Sequence, residues 1–141
     1  MLVLFIYYAR MENLKNMMFF NGIWWMNIVD KTDEEILEIA NSMWADLVKY
    51  SNEGNYGAFT RNFSSSFIAG ANEVEMGKQF ARSELAKNLS PDYEYLGIIR
   101  RGDYVTVLYK QRSSKKKGEW LGRLVLGYEN DKVKIFGATL F

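Results

Sequence analysis

The segment "EWLGRLVLGYENDKVKIFGATLF", Glu119 to Phe141, decides the fold. Apolar and polar residues alternate along it on both sides of Asn130 and Asp131, two residues that suit the tight turn of a β-hairpin. If these two residues form the loop, Glu129 lies opposite Lys132, and an opposite-charge pair supports that register. The segment therefore predicts a C-terminal antiparallel hairpin.

The two faces of this hairpin differ in composition. We expect the uniformly apolar face to belong to the core; it carries Trp120, Leu124, Leu126, Tyr128, Val133, Ile135 and Phe141. The other face is mixed and carries Leu121, Arg123, Val125, Lys134, Phe136 and Leu140. Monomers rarely expose apolar patches beyond a few hundred Å². We therefore expect a second copy of the sheet to cover this face, with a dimer interface at Leu121, Arg123, Val125, Phe136 and Leu140.

The preceding stretch "YEYLGIIRRGDYVTVLYKQR" predicts a second hairpin around Gly102 and Asp103. Apolar residues again lie on both sides: Ile98 and Val107 on one, Ile99 and Leu108 on the other. The size of the turn within "RSSKKKG" is open, and a one-residue slip would exchange the faces. The alignment of the two hairpins therefore stays open.

The segment "KTDEEILEIANSMWADLVKYSNEG" predicts a long amphipathic helix. Thr32 and Glu35 form a capping box, and Gly54 suits the end of the helix. Apolar residues recur at helical spacing along one face: Ile36, Ile39, Ala40, Met43, Trp44, Leu47 and Val48.

Three shorter elements follow this helix. Asn55 is expected to cap a short aromatic helix, and "SSSFIAG" is expected to form a turn followed by a short strand. A third helix is expected from Glu73 to Asn88, ended by Pro91.

This order of elements resembles the nuclear-transport-factor-2-like superfamily, which includes the SnoaL-like proteins. The likeness rests on the capped helix and on "EGNYGAFTRNFSSSF", which is similar to the family's passage of spaced aromatic residues after its first helix. It covers residues 31–141, and residues 1–30 form an apolar N-terminal extension outside it. The resemblance implies an α+β fold, a cone-shaped curved antiparallel sheet wrapped around N-terminal helices (a cystatin-like roll). It also implies a pocket at the open end of the cone and, often, dimers formed sheet to sheet.

An aromatic set at helix and strand spacing could line such a pocket, and plain core packing is the alternative. The set consists of Trp44, Tyr56, Phe59, Phe63, Trp120 and Tyr128. A flat or apolar molecule is the ligand that such rings would favour.

The chain has no His and no Cys, which excludes Ser-His-Asp and Cys-His catalysis and the usual zinc sites. It also lacks phosphate-binding and dinucleotide-binding glycine motifs. We therefore expect no cofactor and no metal. Acid–base chemistry would need a pocket carboxylate such as Asp46 with Tyr128, and an ordinary surface carboxylate is the alternative for Asp46. The resemblance implies such carboxylate–tyrosine isomerases, and hydrolases with an Asp-Arg-Asp set, among its enzymes.

Five cations crown the predicted hairpin tip: Lys110, Arg112, Lys115, Lys116 and Lys117. A solvated tip and a contact for an acidic partner both fit them. The net charge of +1 gives no general attraction to nucleic acid. The apolar run at residues 1–9 is too short to span a bilayer and has no features of a signal peptide. We expect no nucleic acid partner, no membrane span and a cytoplasmic protein.

Three functions remain open at this stage. The first is a non-catalytic homodimer whose cone can hold a small apolar ligand. The second is a cofactor-independent isomerase or hydrolase that uses a pocket carboxylate and a tyrosine. The third is a protein–protein assembly module.

Overall fold

The computed structural model describes residues 27–70, 78 and 83–141. Within them a helical N-terminal part precedes a curved, open, four-stranded antiparallel sheet, so the α+β prediction is confirmed. Most of the predicted third helix and nearly all of the N-terminal extension lie outside the described residues.

The long helix α1 spans Asp33–Glu53. Thr32 and Glu35 form the expected capping box, and Gly54 ends the helix in the left-handed conformation, with φ 66°. The buried face of α1 packs under the sheet. Its buried residues are Ile36, Ala40, Trp44, Leu47, Val48 and Ser51.

Two short helices follow. Helix α2 spans Tyr56–Phe59, and the side chain of Asn55 accepts a hydrogen bond from the Ala58 N–H at 3.2 Å, as expected of a cap. Helix α3 spans Ser65–Gly70, where the sequence analysis expected a turn and a strand. That prediction was wrong because the Ser64 hydroxyl caps a helix here, accepting from the Phe67 N–H at 3.1 Å.

The sheet consists of β1 Leu89–Arg101, β2 Tyr104–Ser113, β3 Glu119–Glu129 and β4 Lys132–Leu140, in that order. Residues 84–88 form turns and a bend, so the predicted third helix does not continue to Asn88. Pro91 lies within β1, which begins before the predicted start at Tyr93. An edge strand accommodates a proline because the missing N–H need not join a ladder.

Both predicted hairpins are confirmed. Residues 102–103 join β1 to β2, and Asn130 and Asp131 join β3 to β4 with φ values of 50° and 64°. Two positive φ values in a two-residue loop match the twist of the flanking strands. Glu129 pairs with Lys132 in the register, but its carboxylate accepts hydrogen bonds from the Ser65 N–H and hydroxyl.

The register left open between the hairpins is now fixed, with Val107 opposite Leu124 and Thr106 opposite Val125. One face of the sheet, here the inner face, packs on α1. It carries the main core, including Val105, Val107, Tyr109, Leu124 and Leu126. The opposite face is called the outer face below.

A β-bulge changes the faces of the last residues of β4. Leu126 pairs with Ile135 while Val125 pairs with Gly137, so Phe136 is the extra residue. Leu140 is therefore buried in the main core, although the sequence analysis assigned it to the outer face. Phe141, which was expected in the core, is 40% exposed and lies against Arg123 on the outer face.

Candidate functional site

Among the described residues, the inner face holds a dense aromatic and polar network. The Trp44 ring stacks on Tyr109 with centroids 5.0 Å apart, and its Nε1 donates to Oε1 of the buried Gln111 at 2.9 Å. Nε2 of Gln111 in turn donates to the carbonyl of Ser90 at 2.7 Å. Both polar side chains are thus satisfied inside the core.

Two tyrosines of this network converge on Asn41. The Tyr109 hydroxyl donates to Oδ1 of Asn41 at 2.9 Å, and the Tyr93 hydroxyl donates to the Asn41 carbonyl at 3.2 Å. Burial raises the pKa of both phenols, and the neighbouring phenols add to the shift at Tyr109. A raised pKa keeps a tyrosine neutral, so these groups act as fixed hydrogen-bond donors.

The predicted pocket residues are separated by this packing. Trp44 and Phe59 line an inner cavity of about 30 Å³, together with residues that include Ala138 and Leu140. A cavity of that size holds roughly one water molecule.

The other four predicted pocket residues lie elsewhere. Phe63 is buried between Phe59 and Phe67, at centroid distances of 5.4 and 4.4 Å. Tyr56, Trp120 and Tyr128 are partly buried against the main core.

The candidate catalytic carboxylate lies at the surface. The side chain of Asp46 is 41% exposed and forms an ion pair with Arg61 at 3.5 Å. It is the ordinary helix-surface carboxylate that the sequence analysis gave as the alternative.

Four rows of residues cross the outer face completely, from β1 to β4. The first row holds Glu94, Lys110, Leu121 and Phe141. The two middle rows hold Gly97, Leu108, Arg123 and Thr139, then Ile99, Thr106, Val125 and Gly137. The last row holds Arg101, Tyr104, Gly127 and Lys134.

Three large apolar side chains are exposed on this face. Ile99 is 47% exposed, Leu121 39% and Phe141 40%. Val125 and Phe136, two predicted interface residues, are already buried at 1% in a second cluster with Tyr104. Of the predicted interface set, Leu121 therefore offers the exposed apolar surface.

Arg123 lies on the outer face beside Leu121. Its Nε donates to the Thr139 hydroxyl at 3.1 Å, and its guanidinium lies 5.0 Å from the centre of the Phe141 ring. These contacts fix the guanidinium on the outer face.

An outer groove of about 90 Å³ crosses the last three rows. It is lined by Ile99, Arg101, Tyr104, Thr106, Leu108, Arg123 and Val125. Pockets for drug-sized molecules measure roughly 300–1,000 Å³. The groove is therefore suited to a protruding side chain.

Charges are distributed unevenly along β1. Glu94 lies in the first half of β1, close to its middle, and bonds Arg112 at 2.8 Å, within a network that includes Lys110 and Glu119. The Arg112 hydrogen bond is the main reason why the pKa of Glu94 is lowered. Arg101 lies at the other end of β1, and none of the described residues forms an ion pair with it.

The sequence analysis did not identify Ile99, Arg101 or Glu94 as functional candidates. The signal is present in "PDYEYLGIIRRG", where acids precede an apolar centre and arginines follow it. The pattern gains meaning only once the register places Glu94 and Arg101 on the same face.

The cations of the hairpin tip divide into two groups. Lys110 and Arg112 belong to the ion-pair network of the outer face. Lys115, Lys116 and Lys117 are exposed, and Oγ of Ser113 accepts hydrogen bonds from the N–H groups of Lys115 and Lys116. The turn is thus held by its own serine, and the lysine side chains project into solvent.

Residues 27–70, 78 and 83–141 contain no group of three or more Asp or Glu side chains arranged to hold a metal ion. The helices within these residues are too short or too polar to cross a lipid bilayer. Comparison of the whole chain with models of protein families, with curated proteins and with solved structures finds no match.

Proposed function

We propose that this chain is a non-catalytic assembly domain that forms a homodimer through the outer face of its sheet. The observation that carries the proposal is the pairing of exposed apolar side chains with the outer groove on one face. Leu121, Ile99 and Phe141 are the exposed side chains. Burying them against a second copy would remove apolar surface from water.

The dense packing of the described part of the inner face supports assembly over catalysis. Trp44, Tyr109 and Gln111 satisfy one another within the core, and Asp46 is paired with Arg61 at the surface. An isomerase or hydrolase would need a carboxylate inside a pocket. That enzyme function remains the alternative, and the Asp46→Asn variant would test it once a substrate is in hand.

A small apolar ligand in the cone remains a prediction. The inner cavity of about 30 Å³ beside Trp44 would have to widen severalfold to accept one. The resemblance to the nuclear-transport-factor-2-like superfamily likewise stays a proposal. The long capped helix beneath a curved four-stranded sheet supports it.

Sedimentation equilibrium across a wide range of protein concentrations tests the dimer. The wild-type chain should sediment as a dimer, and Leu121→Glu should raise the dimer dissociation constant by about 30-fold or more, because each dimer contains the altered contact twice. Ile68→Glu is the matched control, since Ile68 is 45% exposed on α3, away from the outer face. A wild-type monomer at all concentrations would overturn the proposal.

A further inference from the structure

The rows of the outer face constrain how a second copy can lie on it. This inference rests on the proposed homodimer and specifies its geometry. Two sheets stacked face to face by a twofold axis in their interface leave two simple choices, with the axis along the strands or across them. Aligned sheets cross at about 30°, so these correspondences hold to within the twist.

An axis along the strands would keep each row opposite the same row of the partner. Strand β1 would then lie over the partner's β4, which places Arg101 opposite the partner's Lys134. Two like charges would face each other twice in the dimer, and like-charge contacts oppose association. Leu121 belongs to the first row, outside the groove, so this axis would not bring it into the groove.

An axis across the strands reverses the order of the rows and keeps each strand over its own copy. The first row then lies over the partner's last row. Within one sheet these two rows are about 20 Å apart along the strands. Glu94 meets the partner's Arg101. Leu121 lies over the partner's Gly127, from where it enters the groove beside the partner's Tyr104. Phe141 meets the partner's Lys134, a contact between a ring and a cation that is favourable.

We propose that the homodimer is built on the axis across the strands, with Leu121 in the partner's outer groove and Glu94 against the partner's Arg101. The groove suits the side chain of Leu121, because its volume of about 90 Å³ is far below the volume of a small-molecule pocket. Arg101 also supplies a cation that no described carboxylate pairs, at the point where the partner's carboxylate arrives. Shape and charge thus select the same axis.

Charge reversal distinguishes the two axes. Arg101→Glu should weaken the homodimer by about tenfold or more, because it sets two carboxylates against each other at two equivalent contacts. Glu94→Arg should weaken its own homodimer in the same way. An equimolar mixture of the two variants should dimerise again, since both contacts in the mixed dimer then join opposite charges.

Lys116→Glu, which reverses an exposed charge at the hairpin tip, is the control and should leave the dissociation constant unchanged. Urea unfolding of each variant verifies that it is folded. Glu94→Arg also disturbs the network with Arg112 and Lys110, so a second measurement is needed. Arg101→Lys keeps the charge and introduces an amine, which a zero-length carbodiimide should join to the partner's Glu94 in peptides identified by mass spectrometry.

The outcomes separate cleanly. Tighter association of Arg101→Glu would indicate the axis along the strands and overturn this inference. An unchanged dissociation constant for Arg101→Glu, with Leu121→Glu still disruptive, would overturn the geometry and leave the homodimer standing. A monomeric wild type would overturn both and point to another occupant of the face, such as residues 1–26 of the same chain.

Discussion

Gly122 lies where the indole of Trp44 approaches the sheet. A Cβ at this position would lie 2.6 Å from Cη2 and Cζ2 of Trp44 and 3.4 Å from Cβ of Tyr109. The indole cannot retreat easily, because it stacks on Tyr109 and donates to Gln111. The glycine therefore sets the spacing between α1 and β3.

Gly122→Ala should lower the free energy of unfolding by about 1–3 kcal/mol, the usual cost of forcing a methyl group into a packed core. Gly97→Ala is the control, since a Cβ at Gly97 meets nothing within 4 Å. It should leave stability unchanged or raise it by about 0.5 kcal/mol, because alanine restricts the unfolded chain. Urea unfolding of both variants measures the difference, and equal stabilities would contradict the assigned contact.

Residue-scale prediction from the sequence succeeded where periodicity decides burial and failed where a polar partner decides it. Trp44 and Leu124 were assigned to the buried faces correctly. Gln111 was not recognised as a core residue, because a glutamine near a run of lysines resembles a surface residue until its partner Trp44 is known. Contacts between residues 67 positions apart leave no local pattern.

The N-terminal cap of α1 is an element that the sequence identifies fully. The Thr32 N–H donates to the Glu35 carboxylate at 3.2 Å, and the Glu35 N–H donates back to the Thr32 hydroxyl at 3.2 Å. The hydrogen bond from the Thr32 backbone is the largest cause of the lowered pKa of Glu35, and Lys31 contributes least among the causes that lower it.

This cap predicts a specific dependence of stability on pH. A carboxyl whose pKa is lowered by folding stabilises the folded state above its unfolded pKa, and this contribution is lost as the pH falls through the folded pKa. Glu35→Gln should therefore unfold at lower urea concentration than the wild type at pH 7. The two midpoints should converge once the pH falls below the lowered pKa of Glu35, because both side chains are then neutral.

Glu38→Gln is the matched control for this experiment, since Glu38 is exposed on the same helix beyond the cap. At pH 7, Glu38→Gln should shift the urea midpoint from the wild-type value by less than Glu35→Gln does. If the difference in urea midpoint between Glu35→Gln and the wild type persists unchanged at low pH, the charge of Glu35 is not what stabilises the cap.

At the scale of elements, the hairpins were predictable and the bulge in β4 was not. The residue types of Asn130 and Asp131 predict their turn, because few residues tolerate two successive positive φ values. The residue type of Phe136 does not predict a bulge. As the extra residue of the bulge, Phe136 moves Leu140 to the inner face and Phe141 to the outer face. Helix α3 was missed for a related reason: Ser64, its cap, lies in a run of three serines that equally suits a turn.

At the scale of the whole molecule, the helix-under-sheet architecture follows from the sequence but the state of its interior does not. The change from helical spacing to alternation at Tyr93 predicts helices followed by strands. Whether the inner face encloses a pocket depends on how Trp44, Phe59 and Leu140 fit together, and packing leaves about 30 Å³ there. Side-chain fit of this kind is a three-dimensional property that composition cannot supply.

The proposed homodimer couples association to thermal stability. If the folded dimer unfolds to separate chains, a 100-fold rise in protein concentration favours the dimer by about 2.7 kcal/mol, shared between two chains. For a chain of 141 residues this corresponds to a rise in Tm of about 4 °C. At concentrations below its raised dissociation constant, Leu121→Glu is expected to unfold at a Tm independent of concentration, and Ile68→Glu should keep the wild-type dependence. Calorimetry at matched scan rates measures all three, and a wild-type Tm that does not move with concentration would contradict a dimer linked to folding.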